Sequence, residues 1–348
     1  MELGLYTFGD ITPDPNTGRA ISTAQRYAEI LAAAKLADDA GFDVFGVGEH
    51  HRLDVAVSSP AAVMAAIAAG TTRIRLTSAV TVLSTLDPVR VFQDFATVDL
   101  LSAGRAEIIA GRGAFTESFP LFGADIANYD ALFAENLDLL LKLNESERVT
   151  WHGRFRPSLN DAEISPRPIT TLPIWIGLGG TPESALRAGE LGLPVILANI
   201  TQPPANFAKQ IAAYRQRHAE RGHDAGSAKV AIATHVHVAK DSQTALAEFY
   251  PYYNAYFREH LRRTNSNPAG DVPRAVYEQR ASATGPIFVG SPQQIVDKIM
   301  YEGELFGHDR FLCQIDLGGQ SYAKVAQSIE LLAADVLPVL RRLAHLGE

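Results

Sequence analysis

Sulfur, positive charge and long apolar runs are all scarce in this chain of 348 residues. A single cysteine, Cys313, excludes an internal disulfide framework and any cysteine-built zinc or iron–sulfur centre. Lys and Arg number 31 against 39 Asp and Glu, a formal net charge of -8. An acidic chain repels a phosphate backbone, and no basic patch stands out, so nucleic-acid binding is not expected. No apolar run approaches the roughly 18 residues of a membrane span; the longest, Pro60–Gly70, is alanine-rich and far shorter. Met1–Ala20 carries Glu2, Asp10 and Asp14 and no basic stretch ahead of an apolar one. That predicts no secretory leader, no membrane partner and a cytoplasmic location. What is present is an ordinary globular balance, 47% hydrophobic and 20% charged residues, in a chain long enough to bury a large core.

Short apolar runs alternate with amphipathic stretches. Strands are expected at Leu3–Phe8, Phe42–Gly48, Ile74–Leu83, Ala106–Ala110, Pro173–Leu178, Pro194–Ala198, Lys229–Ala239 and Phe311–Leu317. Between them lie helical patterns. In Ser22–Ala40, Tyr27, Ile30, Leu31 and Ala34 recur at helical spacing, and Gly41 reads as a C-cap. Ser59-Pro60, Asp87-Pro88 and Thr181-Pro182 each place a capping side chain before a proline whose missing N–H costs nothing at the first helical position. Eight such units over this length predict a single α/β domain spanning 1–348, a (β/α)8 or TIM barrel with insertions in its βα loops. A doubly wound sheet is the alternative. The insertions fall at about 112–127, 144–172 and 262–290 and read as lids or mobile segments, with Asn265–Pro273 the most mobile.

A barrel of this kind works at the C-terminal ends of its strands, which selects four clusters. Glu49-His50-His51 follows the second strand and offers a general base or metal ligands; the plain reading is a loop cap and a solvated histidine. Thr77–Thr81, in the third, would let a flat ring approach the backbone, or would simply fill the barrel. Gly111-Arg112-Gly113 places a guanidinium fork between two permissive residues, suited to a phosphate or carboxylate or to a surface ion pair. Gly177–Ser184 runs from a strand through a glycine-rich turn into a helix, an anion site by its N–H groups and dipole, or an ordinary capped helix. It lacks both the Walker A lysine and the third glycine of a dinucleotide fingerprint. His235 and His237 share one strand face, more as mouth-filling side chains than as metal ligands. Trp151 and Trp175 read as packing residues.

Taken together, Asp87–Arg90, Asp99–Arg105, Gly111-Arg112-Gly113, Glu49-His50-His51, Gly179-Gly180-Thr181, Gly192–Pro194 and Gly290–Pro292 resemble the motif set of bacterial luciferase-like flavin monooxygenases, in the same order over nearly the whole chain. The resemblance implies a TIM barrel that takes reduced FMN from a separate flavin reductase, directly or by diffusion. It implies the use of O2 to oxidise a small organic substrate of aldehyde, alkane or sulfonate type. An F420-dependent oxidoreductase and a non-catalytic flavin-binding barrel are the alternatives on this scaffold. Residue by residue, His50 matches the catalytic histidine, with Glu49 orienting it or helping to close the pocket and His51, pointing to the opposite side, as its stand-in. Ala79-Val80 matches a cis peptide against the flavin ring, flanked by Gly111 and Gly179. Arg112, Gly180, Thr181 and Ser184 match the phosphate site. Gly111 stands where luciferase α-subunits carry a reactive cysteine. No metal is implied, and relatives dimerise through the second and third helices, where Ala61–Ala69 would allow close packing.

Overall fold

The computed structural model describes residues 1–263 and 271–346. Eight parallel strands close on one another: β1 (Glu2–Thr7), β2 (Val44–Val47), β3 (Arg75–Ser78), β4 (Ala106–Gly111), β5 (Ile174–Leu178), β6 (Val195–Ala198), β7 (Val230–Val238) and β8 (Arg310–Gln314). Leu5 lies opposite Phe45 and Phe45 opposite Leu76, while Leu197 pairs with Ile232, Ile232 with Phe311 and Phe311 with Leu3, which completes the ring. The doubly wound alternative is thereby excluded. Crossovers are made by α1 (Thr23–Ala40), α2 (Pro60–Gly70), α3 (Pro88–Leu101), α4 (Tyr129–Glu145), α5 (Pro182–Leu191) and α6 (Ala208–Glu220). After β7 the chain adds α7 (Ser242–Arg263), α8 (Arg274–Ala281) and α9 (Pro292–Phe306); α10 (Tyr322–Leu331) follows β8.

The period-two side-chain alternation of a strand sorts residues between two cores. Leu3, Leu5, Phe45, Leu76, Ile108, Ile174, Leu197, Ile232 and Phe311 face outward against the helices. Tyr6, Val44, Ile109, Trp175, Ile196, Ala231, Ala233 and Leu312 fill the barrel itself. At the N-terminal end the interior is charged. Glu107 accepts from Arg310 Nη1 at 2.6 Å and from Nη2 at 3.2 Å, and also from Arg75 Nε. Arg310 Nε donates to Glu2 at 2.6 Å, and its guanidinium lies 4.5 Å from the centre of the Trp175 ring. Burial opposes the Glu107 carboxylate, but Arg310 and Arg75 outweigh it and hold the acid below its ordinary pKa.

Three expectations change. The third strand does not run from Ile74 to Leu83. β3 stops at Ser78, whose Oγ donates to Ile109 O at 3.2 Å and accepts from Ile109 N at 3.0 Å. A side chain thus takes over the ladder there, the chain bends at Ala79-Val80, and Thr81–Val82 resumes pairing with β4. The 144–172 insertion is a two-stranded hairpin, Arg148–Trp151 against Leu159–Glu163, rather than a lid without structure. The 262–290 insertion contains α8 and a strand, Phe288–Gly290, paired parallel to β7. The expected mobility of Asn265–Pro273 falls largely on residues 264–270, which lie outside the described residues. Capping follows the sequence at Gly41 and Asp87, whereas Ser59 and Thr181 occupy N-cap positions without making the side-chain bond.

Candidate active site

A cavity of about 350 Å³ opens at the C-terminal ends of the strands, within the ordinary range for a small-molecule site. Its wall includes Glu49, His50, His51, Ala79, Val80, Gly111, Arg112 and Gly179, so eight of the sequence candidates meet in one place. Gly180, Thr181 and Ser184 stand beside it at the start of α5 rather than on the wall.

One side is flat and one corner is cationic. Ala79, Val80, Gly111 and Gly177 present nothing longer than an isopropyl group, and the Ala79–Val80 peptide is cis, as the resemblance implies. A Cβ at Gly111 would lie 2.4 Å from Val80 Cγ2, so any side chain at this position requires Val80 to shift. At the corner, Arg112 Nη2 donates to Thr181 Oγ1 at 3.0 Å and Ser184 Oγ at 2.9 Å. Its Nη1 donates to Asp130 Oδ1 at 2.6 Å, and the guanidinium lies 5.3 Å from the centre of the Tyr129 ring. Gly180, at φ +94°, is in the left-handed region that glycine enters without cost, and it turns the chain from β5 into α5. A fork, two hydroxyls and a helix N-terminus form a donor set suited to one phosphate group. The flat wall beside it suits a planar ring, so the residues present fit FMN.

The ionisable groups lie along the other side. His50 Nδ1 is 3.3 Å from Glu117 Oε1, with Phe8 and Phe115 edge-on at 4.7 and 5.1 Å. Burial lowers the His50 pKa and so favours the neutral imidazole, with Glu117 pulling the other way. For Glu117 itself, burial raises the pKa, but the His50 contact, its own backbone N–H and Arg52 prevail and hold it below the ordinary value. Two expectations about this trio fail. Glu49 does not orient His50: its Oε1 meets His51 Nε2 at 2.9 Å and its Oε2 accepts from Val82 N at 3.0 Å. His51 does not point away either, since both histidines line the cavity. The alternation argument needed a strand, and β2 ends at Val47, before either histidine.

His235 also lines the cavity. His237, two residues on, is stacked on Phe249 at 5.1 Å instead, 3.5 Å from Glu248 Oε2. Among the described residues, no group of three or more His, Cys, Asp or Glu side chains could hold a metal ion. Trp151 is buried and donates to Asp138 Oδ2 at 2.7 Å, and Trp175 packs inside the barrel. The sequence reading missed Glu117, Phe8, Tyr129, Asp130 and Gln314. Glu117 was visible as a carboxylate within an insertion already read as functional; the others carry no local signal.

A family model of luciferase-like monooxygenases matches residues 1–309. The chain is 26% identical over 322 residues to 4-hydroxyprotoasukamycin monooxygenase from Streptomyces nodosus subsp. asukaensis, covering 88% of this chain and 85% of that one. A monooxygenase from Streptomyces bottropensis superposes with a TM-score of 0.83 at 23% identity, covering 98% and 100%. The oxygenating constituent of 3,6-diketocamphane monooxygenase from Pseudomonas putida, in complex with FMN, superposes at 0.77 and 20%, covering 97% and 98%. An F420-dependent secondary alcohol dehydrogenase shares the fold at 0.73 and 18%, covering 97% and 98%. Family match, barrel topology and the position of the cavity agree: the chain belongs to the luciferase-like monooxygenase family.

Proposed function

We propose that this protein is an FMN-dependent monooxygenase that receives reduced FMN from a separate reductase and oxidises a small neutral organic substrate. The observation that carries the reading is the joining, in one cavity, of a cationic corner at Arg112 to a half-buried histidine, His50, whose Nδ1 faces Glu117. Reduced FMN, when bound, supplies the electrons that activate dioxygen. Arg112, Thr181 and Ser184 hold its phosphate, and Ala79, Val80, Gly111 and Gly179 bound its ring. Asp130 already engages one arm of Arg112, so the arriving phosphate competes with a carboxylate that is two-thirds exposed and weakly held. Phe8 and Phe115 line the cavity and limit the access of bulk water to it. With Nδ1 turned to Glu117, His50 exchanges protons with the substrate oxygen through Nε2. His51, fixed by Glu49, shapes the neighbouring wall. Location in the cytoplasm and a homodimer formed through α2 and α3, where Leu100 and Leu101 are exposed, complete the proposal. Among the described residues no helix is long and apolar enough to cross a membrane.

Fluorescence titration with FMN, riboflavin and F420 tests the cofactor. Oxygen uptake and hydrogen peroxide release with reduced FMN and an aldehyde panel test turnover. The expected result is preference for FMN over both other flavins and suppression of peroxide release by whichever probe is turned over. Binding of F420 with indifference to FMN would replace the reading with hydride transfer, and FMN binding without turnover would leave a flavin carrier.

A further inference from the structure

Gln314 closes the inner face of β8. It is 1% exposed, it lines the cavity, and among the described residues neither its Nε2 nor its Oε1 has a hydrogen-bond partner. A buried amide left without partners is rare in folded proteins, because each unmade bond leaves a desolvated polar atom uncompensated. The register sets Gln314 between Tyr6 on β1 and His235 on β7, so three polar side chains lie side by side at one level of the barrel. Above them the walls are aromatic. Phe8 meets Tyr6 at 5.7 Å and His50 at 4.7 Å, and Tyr256 meets His235 at 5.2 Å. The shelf belongs to β7, β8 and β1, whereas the phosphate corner belongs to β4 and the start of α5.

A primary amide offers one donor edge and one acceptor edge, side by side. A cyclic amide, with its C=O and N–H on the same side, satisfies both. An aldehyde or ketone satisfies only the donor and leaves Oε1 stranded. A carboxylate also satisfies only the donor, and it carries a charge into an apolar enclosure, which is strongly unfavourable. The aromatic walls favour a flat ring over a flexible chain.

We propose that Gln314 recognises the head group of the substrate, and that this substrate is a flat, neutral ring compound carrying an amide-type donor–acceptor edge. The proposal deepens the monooxygenase reading and rests on it, because it takes the flavin to occupy the Ala79-Val80 side and the substrate the Gln314 side.

The test is calorimetric titration of FMN-loaded protein with three matched probes: 3,4-dihydroquinolin-2-one, its N-methyl derivative and 2-tetralone. The wild-type protein is expected to bind the N–H lactam about tenfold more tightly than the other two, the size of one net hydrogen bond to a buried partner. In Gln314→Leu that preference disappears while FMN affinity is unchanged. Equal affinity for all three probes in the wild type would overturn the proposal, and that arm does not depend on the variant folding. A preference that survives Gln314→Leu would also overturn it. A loss of FMN affinity in Gln314→Leu would assign the residue to the cofactor and overturn it as well. Failure of the wild type to bind FMN would sink the monooxygenase reading separately. The same probes on the flavin-free protein would then show whether the shelf still selects the lactam, and no selection there would end the proposal too.

Discussion

The two ends of the barrel treat buried polarity in opposite ways. At the N-terminal end Glu107, Arg310, Arg75 and Glu2 satisfy one another, and Arg310 is also covered by Trp175. At the C-terminal end the buried polar atoms of Gln314 and Ser118, which line the cavity, have no partner among the described residues, and the His50–Glu117 contact is long at 3.3 Å. A closed network specifies and stabilises. An open set of polar groups around a cavity is available to a ligand. The strands are continuous between the two ends, so the difference comes from which residues sit at each end of the same alternation.

Substitutions at the two ends should therefore separate activity from stability. The largest effect is expected at the mouth. His50→Ala should lower turnover by about 10²–10⁴-fold, the usual contribution of a positioned acid–base group. FMN affinity and urea midpoint should stay close to wild type, and peroxide release should rise. A loss of turnover matched by a loss of folding would erase the contrast. At the other end, Glu107→Ala leaves the buried Arg310 guanidinium, and the partly exposed one of Arg75, without their shared carboxylate. It should lower unfolding free energy by about 3–5 kcal/mol, read from urea denaturation. The folded fraction should still bind FMN normally.

Smaller effects sharpen the picture within the mouth. Arg112→Ala should weaken FMN binding about tenfold or more, the value of a charge-assisted contact, while riboflavin binding barely changes. Equal loss for both ligands would remove Arg112 from the phosphate site. The pH dependence follows from His50. Its folded pKa lies below the usual 6.5 because burial disfavours the cation, so the neutral, active form persists to lower pH than for an exposed histidine. Activity should then fall only on an acid limb below about 6.5. Folding favours the neutral ring, so its contribution to stability is present above the unfolded-state value and is lost as pH falls through the window below it. Glu117→Gln removes an influence that raises the pKa and should move the acid limb further down. A limb that moves up would reverse the assigned coupling. The smallest effect is Asp130→Asn, which frees one arm of Arg112 and should tighten FMN binding by a few fold at low salt.

Much of this was legible locally. Proline after a capping residue marked the starts of α3 and α5, and the alternation of apolar runs with amphipathic stretches marked all eight barrel strands. The meeting of Arg112 with Thr181 and Ser184 was foreshadowed because glycine-flanked arginine and strand–turn–helix patterns are short-range signals. The errors have a common cause. The partner of Glu49, the direction of His51 and the break after Ser78 depend on contacts between neighbouring strands and loops, which periodicity within one segment does not encode.

The amino-acid sequence by itself determined the order of the elements, the acidic and nearly cysteine-free character of the chain, and the gathering of its motif residues at one end of the barrel. Those properties arise from propensity, capping and side-chain period, each set within a few residues. Only the tertiary structure decided that Glu117, 67 residues beyond His50, is its partner. Only closure of the ring could place Gln314 of the last strand between Tyr6 of the first and His235 of the seventh. Long-range pairs of this kind form when the sheet closes on itself, because register between distant strands is fixed by the packing of the whole barrel.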